Sequence, residues 1–425
     1  MSNKNLKSLD IFLYKVVFYY IKHQESDKYN LLKNKKNFQL KLNALGHAYN
    51  DSYHFIIPLL LPFFRQEFLF SYFQSGLILT IHIGLRSASS MAFGSLADRY
   101  NNKNLFIAFG FLVSSILLGS VLWISNPLII IAVLLFMAIG VSAFHPLAMA
   151  MVGEKAKPDK RGRDLSLFSA AGTLGLSIMS LLFGWMVQLW GWRITCMIIS
   201  LPGFILAWMY TKLKNELPEH DIKAMELPHK NIFILFFVSH GLRNLGSWAI
   251  LSFLPTYATD YIGLNPGISA WIISIYFTGV FSGSIIISQL LDRKTPLKFV
   301  CFATASTAIL IFILTHSTIP LIMGIMVAII GLLQGFYFPA QNTWLTHVST
   351  NRTRGKLFGL AIFSEGIAAT IAPSLYGLLA DNFGLVYSYR LASIPIFISF
   401  LLFFTLYRIT ENHQKIKPNV SSVKK

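Results

Sequence analysis

From residue 42 onward the chain is a series of long apolar runs, each closed by a few polar, Gly or Pro positions. The pattern predicts helices near 42–64, 75–97, 103–124, 128–152, 165–190 and 193–213. After the polar stretch NELPEHDIKAMELPHK it predicts six more, near 230–257, 268–291, 296–316, 320–347, 357–380 and 386–408. At about 1.5 Å of rise per residue, each is long enough to cross about 30 Å of hydrocarbon. The expectation is an all-α integral membrane protein with twelve transmembrane helices. Ahead of them, residues 1–41 form a basic arm with nine Lys. Its short apolar run at 11–22 is broken by Lys15, is too short to span, and has no small-residue cleavage site. It reads either as an interfacial helix or as an upstream extension without a role.

Composition agrees with the pattern. Hydrophobic residues make up 54% and charged residues 13%, with mean hydropathy +0.56. A soluble chain carries about 25% charge, so a cytosolic enzyme is excluded. The two cysteines, Cys196 and Cys301, lie in apolar segments and indicate neither a disulfide framework nor a thiolate site.

The net charge of +18 raises the question of nucleic acid, and its placement answers it. Residues 1–41, 98–104, 153–164, 212–230, 292–298, 352–356 and 408–425 hold 31 of the 36 Lys and Arg and 13 of the 18 Asp and Glu. The whole excess lies on one side, which the positive-inside rule makes cytoplasmic. Both termini and the central loop are therefore expected in the cytoplasm, and no nucleic-acid partner is needed.

Self-similarity at an offset of 193 residues places His47 over His240, Pro62 over Pro255, Pro146 over Pro339 and Gly184 over Gly377. The triplet at 161–163 falls on 354–356, and at an offset of 194 Asp98-Arg99 falls on Asp292-Arg293. The reading is two pseudo-symmetric six-helix halves in parallel orientation. They run 42–213 and 230–409, joined by a cytoplasmic loop at 214–229 and followed by a tail at 410–425.

The segment Gly94-Ser95-Leu96-Ala97-Asp98-Arg99-Tyr100-Asn101-Asn102-Lys103 resembles the loop 2–3 signature of the major facilitator superfamily, with Asn101 at a usual Gly position. The second-half copy keeps Asp292, Arg293 and Lys294. Within that superfamily the chain resembles the fosmidomycin-resistance-type exporters. That likeness rests on His47, Asn50-Asp51, the loop segment, Gly140 and Phe144-His145-Pro146. The resemblance implies the major facilitator fold, drug export against protons and residence in a bacterial inner membrane. One departure is the stretch Gly172 to Ser180, which lacks the proline that proton-driven exporters of the superfamily often carry in helix 5.

The residues themselves point to a polar pathway. A charge in hydrocarbon costs at least about 2.5 kcal/mol, so those inside helices are functional candidates. Helix 1 offers His47, Asn50, Asp51 and His54, and helix 2 offers His82 and Arg86. His145 precedes Pro146 in helix 4, helix 7 has His240, Arg243 and Asn244, helix 10 has Gln334 and Gln341, and helix 11 has Glu365. Arg86 and Arg243 favour an anionic substrate, while Asp51 and Glu365 are the candidate proton carriers, and Asp51 pairing with Arg86 is a testable gate. Gly94, Asp98, Arg99 and Lys103, with Asp292 and Arg293, read as gating loops, and Pro146 and Pro339 as helix kinks. H-x-x-x-D at 47–51 is the only metal-like spacing and shows no wider ligand pattern, so neither metal nor cofactor is expected. G-x-x-x-x-G-K-[ST] is absent, so direct ATP hydrolysis is not indicated.

The expectation is therefore a non-enzymatic, monomeric secondary transporter whose partners are a small-molecule substrate, protons and the bilayer. A proton-linked importer of an anionic metabolite and a non-transporting sensor or assembly protein are the alternatives.

Overall fold

A computed structural model describes residues 38–100, 102–155, 161–213, 230–291, 296–349 and 354–416. Most of the basic arm, the central loop at 214–229 and the end of the tail lie outside the described residues, as do Asp292 and Arg293. The described chain is all helical. In order come α1 (38–68), α2 (Tyr72–Tyr100), α3 (Lys103–Ser120), α4 (Pro127–Ser142), α5 (Phe144–Lys155) and α6 (Arg161–Thr211). Then follow α7 (Lys230–Asp260), α8 (Pro266–Ser288), α9 (Pro296–Leu314), α10 (Pro320–Val348), α11 (Arg354–Phe383) and α12 (Leu385–Ile416).

Local chemistry sets the boundaries. Pro127, Pro266, Pro296 and Pro320 each open a helix, where a missing amide hydrogen costs nothing. Asn126 and Asn265 cap two of these starts, accepting from Leu128 N at 2.9 Å and Gly267 N at 2.8 Å. Inside α6, Gly191 takes φ +75°, ψ 166°, and the chain reverses there within one residue. Only glycine adopts that conformation without strain. α4 and α5 meet at a break at Ala143, three residues before Pro146.

Among the described residues nine helices are long and apolar enough to cross a membrane. α1 and α7 are as long but fall outside that set, and both carry ionisable and amide side chains at mid-helix. Large apolar residues such as Leu128, Ile205, Trp208 and Leu321 lie exposed around the outside, as a lipid-facing surface requires.

Packing repeats between two lobes. α2 lies against α4 and α3 against α6, while α8 lies against α10 and α9 against α12. Buried hydroxyls tie each lobe. Tyr53 of α1 reaches Ser115 on α3 (2.8 Å) and Ser200 O on α6 (3.1 Å). Tyr389 of α12 donates to Ile250 O on α7 (2.9 Å), and Ser399 donates to Ser239 O (2.6 Å). In lipid, where burial of apolar surface separates no helix from its surroundings, such bonds and close packing hold helices together. Between the lobes, α2 meets α11 and α6 meets α8.

Candidate functional site

Among the described residues, the inter-lobe contacts run from one end to mid-helix, where the Phe55 ring of α1 meets Trp248 of α7 and Phe277 of α8. A Cβ at Gly76 would fall 2.1 Å from Pro373 O, and one at Gly377 would fall 2.4 Å from Tyr72 O. Glycine alone allows α2 and α11 to approach so closely. Thr80 donates to Thr370 O (2.6 Å), and Ser374 bonds Thr80 (2.8 Å). The Asp381 carboxylate at the end of α11 accepts from the backbone N–H groups of Tyr72 and Phe73, each at 2.9 Å, and so caps the start of α2. Arg65 of α1 donates to Asp260 of α7 (2.9 Å) and lies 3.5 Å over the Tyr72 ring. On the other contact, Ser177 of α6 bonds Thr278 of α8 (2.7 Å).

Toward the opposite end the lobes separate. Gly84 still lies 3.6 Å from Thr370, but beyond it Gly94 on α2 and Gly359 and Gly366 on α11 face open space. Since Gly359 and Gly366 continue the α11 face that holds Thr370 and Pro373, the gap lies between the lobes. The open end is the one at which the basic loops emerge. A polar wedge, closed at one end and open at the other, thus runs between the lobes.

In the first lobe the wedge is lined by histidines. Asp51 is held on both oxygens, by His145 Nε2 at 2.8 Å and His47 Nε2 at 3.2 Å. His47 Nδ1 donates to Phe168 O on α6 (2.7 Å), and its ring stacks on Phe168 at 4.1 Å between centroids. His145, just before Pro146 at the start of α5, reaches α1 through its contact with Asp51. His54 does not join this group. It stacks on His82, with Nδ1 3.2 Å from His82 Nε2, and His82 Nδ1 in turn bonds Leu134 O. Asn50 is buried with its Nδ2 unpartnered.

The second lobe holds a tighter set. Arg243 is fully buried, donates from one terminal nitrogen to Gln334 (2.6 Å), and lies 3.5 Å over the Tyr337 ring. Its Nε and Nη1 have no partner. His240 Nδ1 is 2.6 Å from the Tyr337 hydroxyl, and Asn244 donates to His240 O (2.9 Å). Glu365 lies 3.9 Å from His240. Gln341 reaches only its neighbour Asn342, at 3.4 Å, and its Oε1 is unpartnered.

Arg86 joins the two sets. It makes no ion pair with Asp51, whose oxygens the imidazoles already occupy, yet it lies within electrostatic reach of both Asp51 and Glu365. The gate expected from an Asp51–Arg86 pair is therefore not formed in this conformation. Pro339 lies inside α10, with Gln334 and Gln341 on either side of it. Among the gating residues, Gly94, Arg99 and Lys103 are described, but the Asp98 side chain lies outside the described residues, as do Asp292 and Arg293. The closed-end contacts of Arg65, Asp260 and Asp381, and the roles of Phe168, Tyr337 and Trp248, had not been singled out. The repeat offset, which sets Asp260 over Glu67, was the available signal for one of them.

The family model of the Major Facilitator Superfamily matches residues 44–236 and again 232–424. Among curated relatives, the proton-coupled antiporter flippase LtaA of Staphylococcus haemolyticus is 24% identical over 391 residues, covering 86% of this chain and 96% of that one. The cis,cis-muconate transport protein of Acinetobacter baylyi is 22% identical over 338 residues, covering 75% and 81%. Among solved structures, a bacterial homologue of the human lysosomal transporter Spinster, inward-facing and unoccupied, matches with TM-score 0.74 at 15% identity, covering 88% and 97%. A D-xylose–proton symporter matches with TM-score 0.71 at 13% identity, covering 88% and 97%. At these identities the structures speak for the fold alone.

Proposed function

The chain belongs to the major facilitator superfamily, secondary transporters rather than enzymes that move small molecules by alternating access, and from that premise we propose that it exports a small organic compound or drug against protons. In this reading the helices make twelve crossings in two six-helix halves, α4 with α5 forming one crossing and α6 forming two about Gly191. The basic loops and both termini face the cytoplasm of a bacterial cell, so the wedge is open inward.

The observation that carries the reading is the charge arrangement in the wedge. One carboxylate, Glu365, lies within reach of two guanidinium groups from opposite halves, Arg86 and Arg243, without closing an ion pair on either. At an effective dielectric of about 20, unit charges beyond about 4 Å attract by at most about 4 kcal/mol. That is small enough to be reversed, yet changes a two-state equilibrium by two to three decades. Protonating Glu365 removes the attraction across the halves, and deprotonating it restores it. Proton binding and the inward–outward equilibrium are then linked, and the unpartnered guanidinium nitrogens are left to meet an acidic group on the substrate. The antiporter flippase relatives support exchange against protons, and the helix 1 and helix 4 likeness to fosmidomycin-type exporters supports a drug-like cargo.

The test uses proteoliposomes loaded with candidate compounds. Acidifying the face that corresponds to the cell exterior should accelerate efflux through the native protein. Glu365→Gln should remove that acceleration while preserving exchange of labelled for unlabelled compound. No flux under either sign of gradient would dismiss the coupling. An importer of an anionic metabolite is favoured instead by the missing proline between Gly172 and Ser180 and by the muconate-transporting relative. Cells settle the direction, since an exporter lowers the internal compound and an importer raises it.

A further inference from the structure

The cluster of His47, Asp51 and His145 is not used by the charge arrangement above. His47 Nε2, His145 Nε2 and one carboxylate oxygen of Asp51 all lie within 4.8 Å of one another. Donor accounting shows what the cluster can hold. Phe168 O can only accept, so His47 Nδ1, 2.7 Å away, carries the hydrogen. His47 Nε2 lies 3.2 Å from Asp51 Oδ2, a pair closed either by a proton on that nitrogen or by a metal ion that takes both lone pairs.

The spacing suits a metal ion. Tetrahedral bonds of about 2.0–2.1 Å place ligand atoms about 3.3 Å apart. His47 Nε2 lies 3.2 Å from one oxygen of Asp51 and His145 Nε2 lies 2.8 Å from the other, each within about half an ångström of that separation. The bond to Phe168 O is the kind of outer contact that fixes a ligating imidazole's tautomer and direction. On the α6 side a Cβ at Gly172 would fall 2.7 Å from His47 Nε2 and 2.8 Å from Asp51 Oδ2, so α6 packs closely on the cluster and only glycine leaves these ligand atoms uncrowded. Asp51 and His145 keep 18% and 30% of their side-chain surface exposed, so the cluster is not sealed from solution.

We propose that His47, Asp51 and His145 bind one borderline divalent transition-metal ion of the Zn²⁺ class, with its remaining coordination position open to the wedge. Two imidazoles and one carboxylate are the donor set such ions take when a fourth site is left for water or a substrate. The proposal uses the transporter reading only in requiring a cavity that opens to solution.

Full-length protein without a histidine tag, stripped with chelator and desalted, is titrated with Zn²⁺ alone by calorimetry at pH 7.5. Co²⁺ serves as the spectroscopic probe of ligation. The native protein should bind one equivalent. His145→Gln and Asp51→Asn should each weaken binding at least about tenfold. His145→Cys, which restores a ligand, should recover it, and His82→Gln, at the neighbouring histidine pair, should leave it unchanged. Binding weaker than about 100 µM in the native protein, or tight binding that survives both His145→Gln and Asp51→Asn, would overturn the site. So would failure of a folded His145→Cys protein to recover binding, since the loss would then be structural. Proton-driven flux of the stripped protein separates the two proposals. Flux without a Zn²⁺ site removes the metal alone, and a Zn²⁺ site without flux removes the coupling alone.

Discussion

The Asp381 cap on α2 holds the closed end shut, and its removal has a calculable effect. Its two oxygens accept from Tyr72 N and Phe73 N, both at 2.9 Å, at a helix start where backbone N–H groups would otherwise lack partners. Losing an N-cap costs about 0.5–2 kcal/mol, and losing an anion from the positive end of a helix dipole about 0.3–1 kcal/mol. The contact exists only when α2 and α11 are together, so Asp381→Ala should shift the closed-to-open equilibrium by about 1–3 kcal/mol, or roughly 5- to 150-fold. Ser374→Cys supplies the reporter, because Ser374 is partly buried between α2 and α11 beneath the cap. Cys196 and Cys301 are buried and add little background. In intact cells, an impermeant thiol reagent should label Ser374→Cys at least about fivefold faster when Asp381→Ala is added. Equal or slower labelling would refute the cap as a determinant of closure.

Three further outcomes are expected. Gly76→Val places a Cβ 2.1 Å from Pro373 O and should wedge α2 from α11, so that the same reporter labels rapidly and net transport is lost. Unchanged labelling would contradict it. Arg243→Lys keeps the charge but loses the planar group that lies on Tyr337 and bonds Gln334; transport should fall at least about tenfold with membrane abundance nearly unchanged, as read by flux and immunoblot together. Tyr389→Phe removes a buried bond to Ile250 O and should lower stability by about 1 kcal/mol, seen as a lower unfolding midpoint in detergent without loss of transport.

Much of the helical layout could be read from the sequence because its signals are local. Apolar runs, the opening prolines at 127, 266, 296 and 320, and the Gly191 turn are each decided within a few residues. The site was legible only along single helices. His47 and Asp51 lie one turn apart on α1 and do touch. His54 is a further turn along, and His82 of α2 claims it through stacking instead. His145 reaches Asp51 from 94 positions away, a pairing that no periodicity along one helix reports, and by taking an oxygen it leaves Arg86 without the partner it was expected to have. Charges at helix ends posed the opposite problem. Asp260 and Asp381 were not singled out, because nothing local says that their partners lie on the other lobe.

The most direct test of the account measures proton movement itself. Proteoliposomes containing a transported compound and a luminal pH dye are diluted into compound-free buffer with no initial pH difference. Exit of the compound through the native protein should drive protons the other way and acidify the lumen, whichever way the protein is inserted, in proportion to the compound moved. Glu365→Gln should give no pH change while still exchanging labelled for unlabelled compound. Compound flux through the native protein with no pH change, or an undiminished pH change with Glu365→Gln, would contradict proton coupling through the inter-lobe wedge.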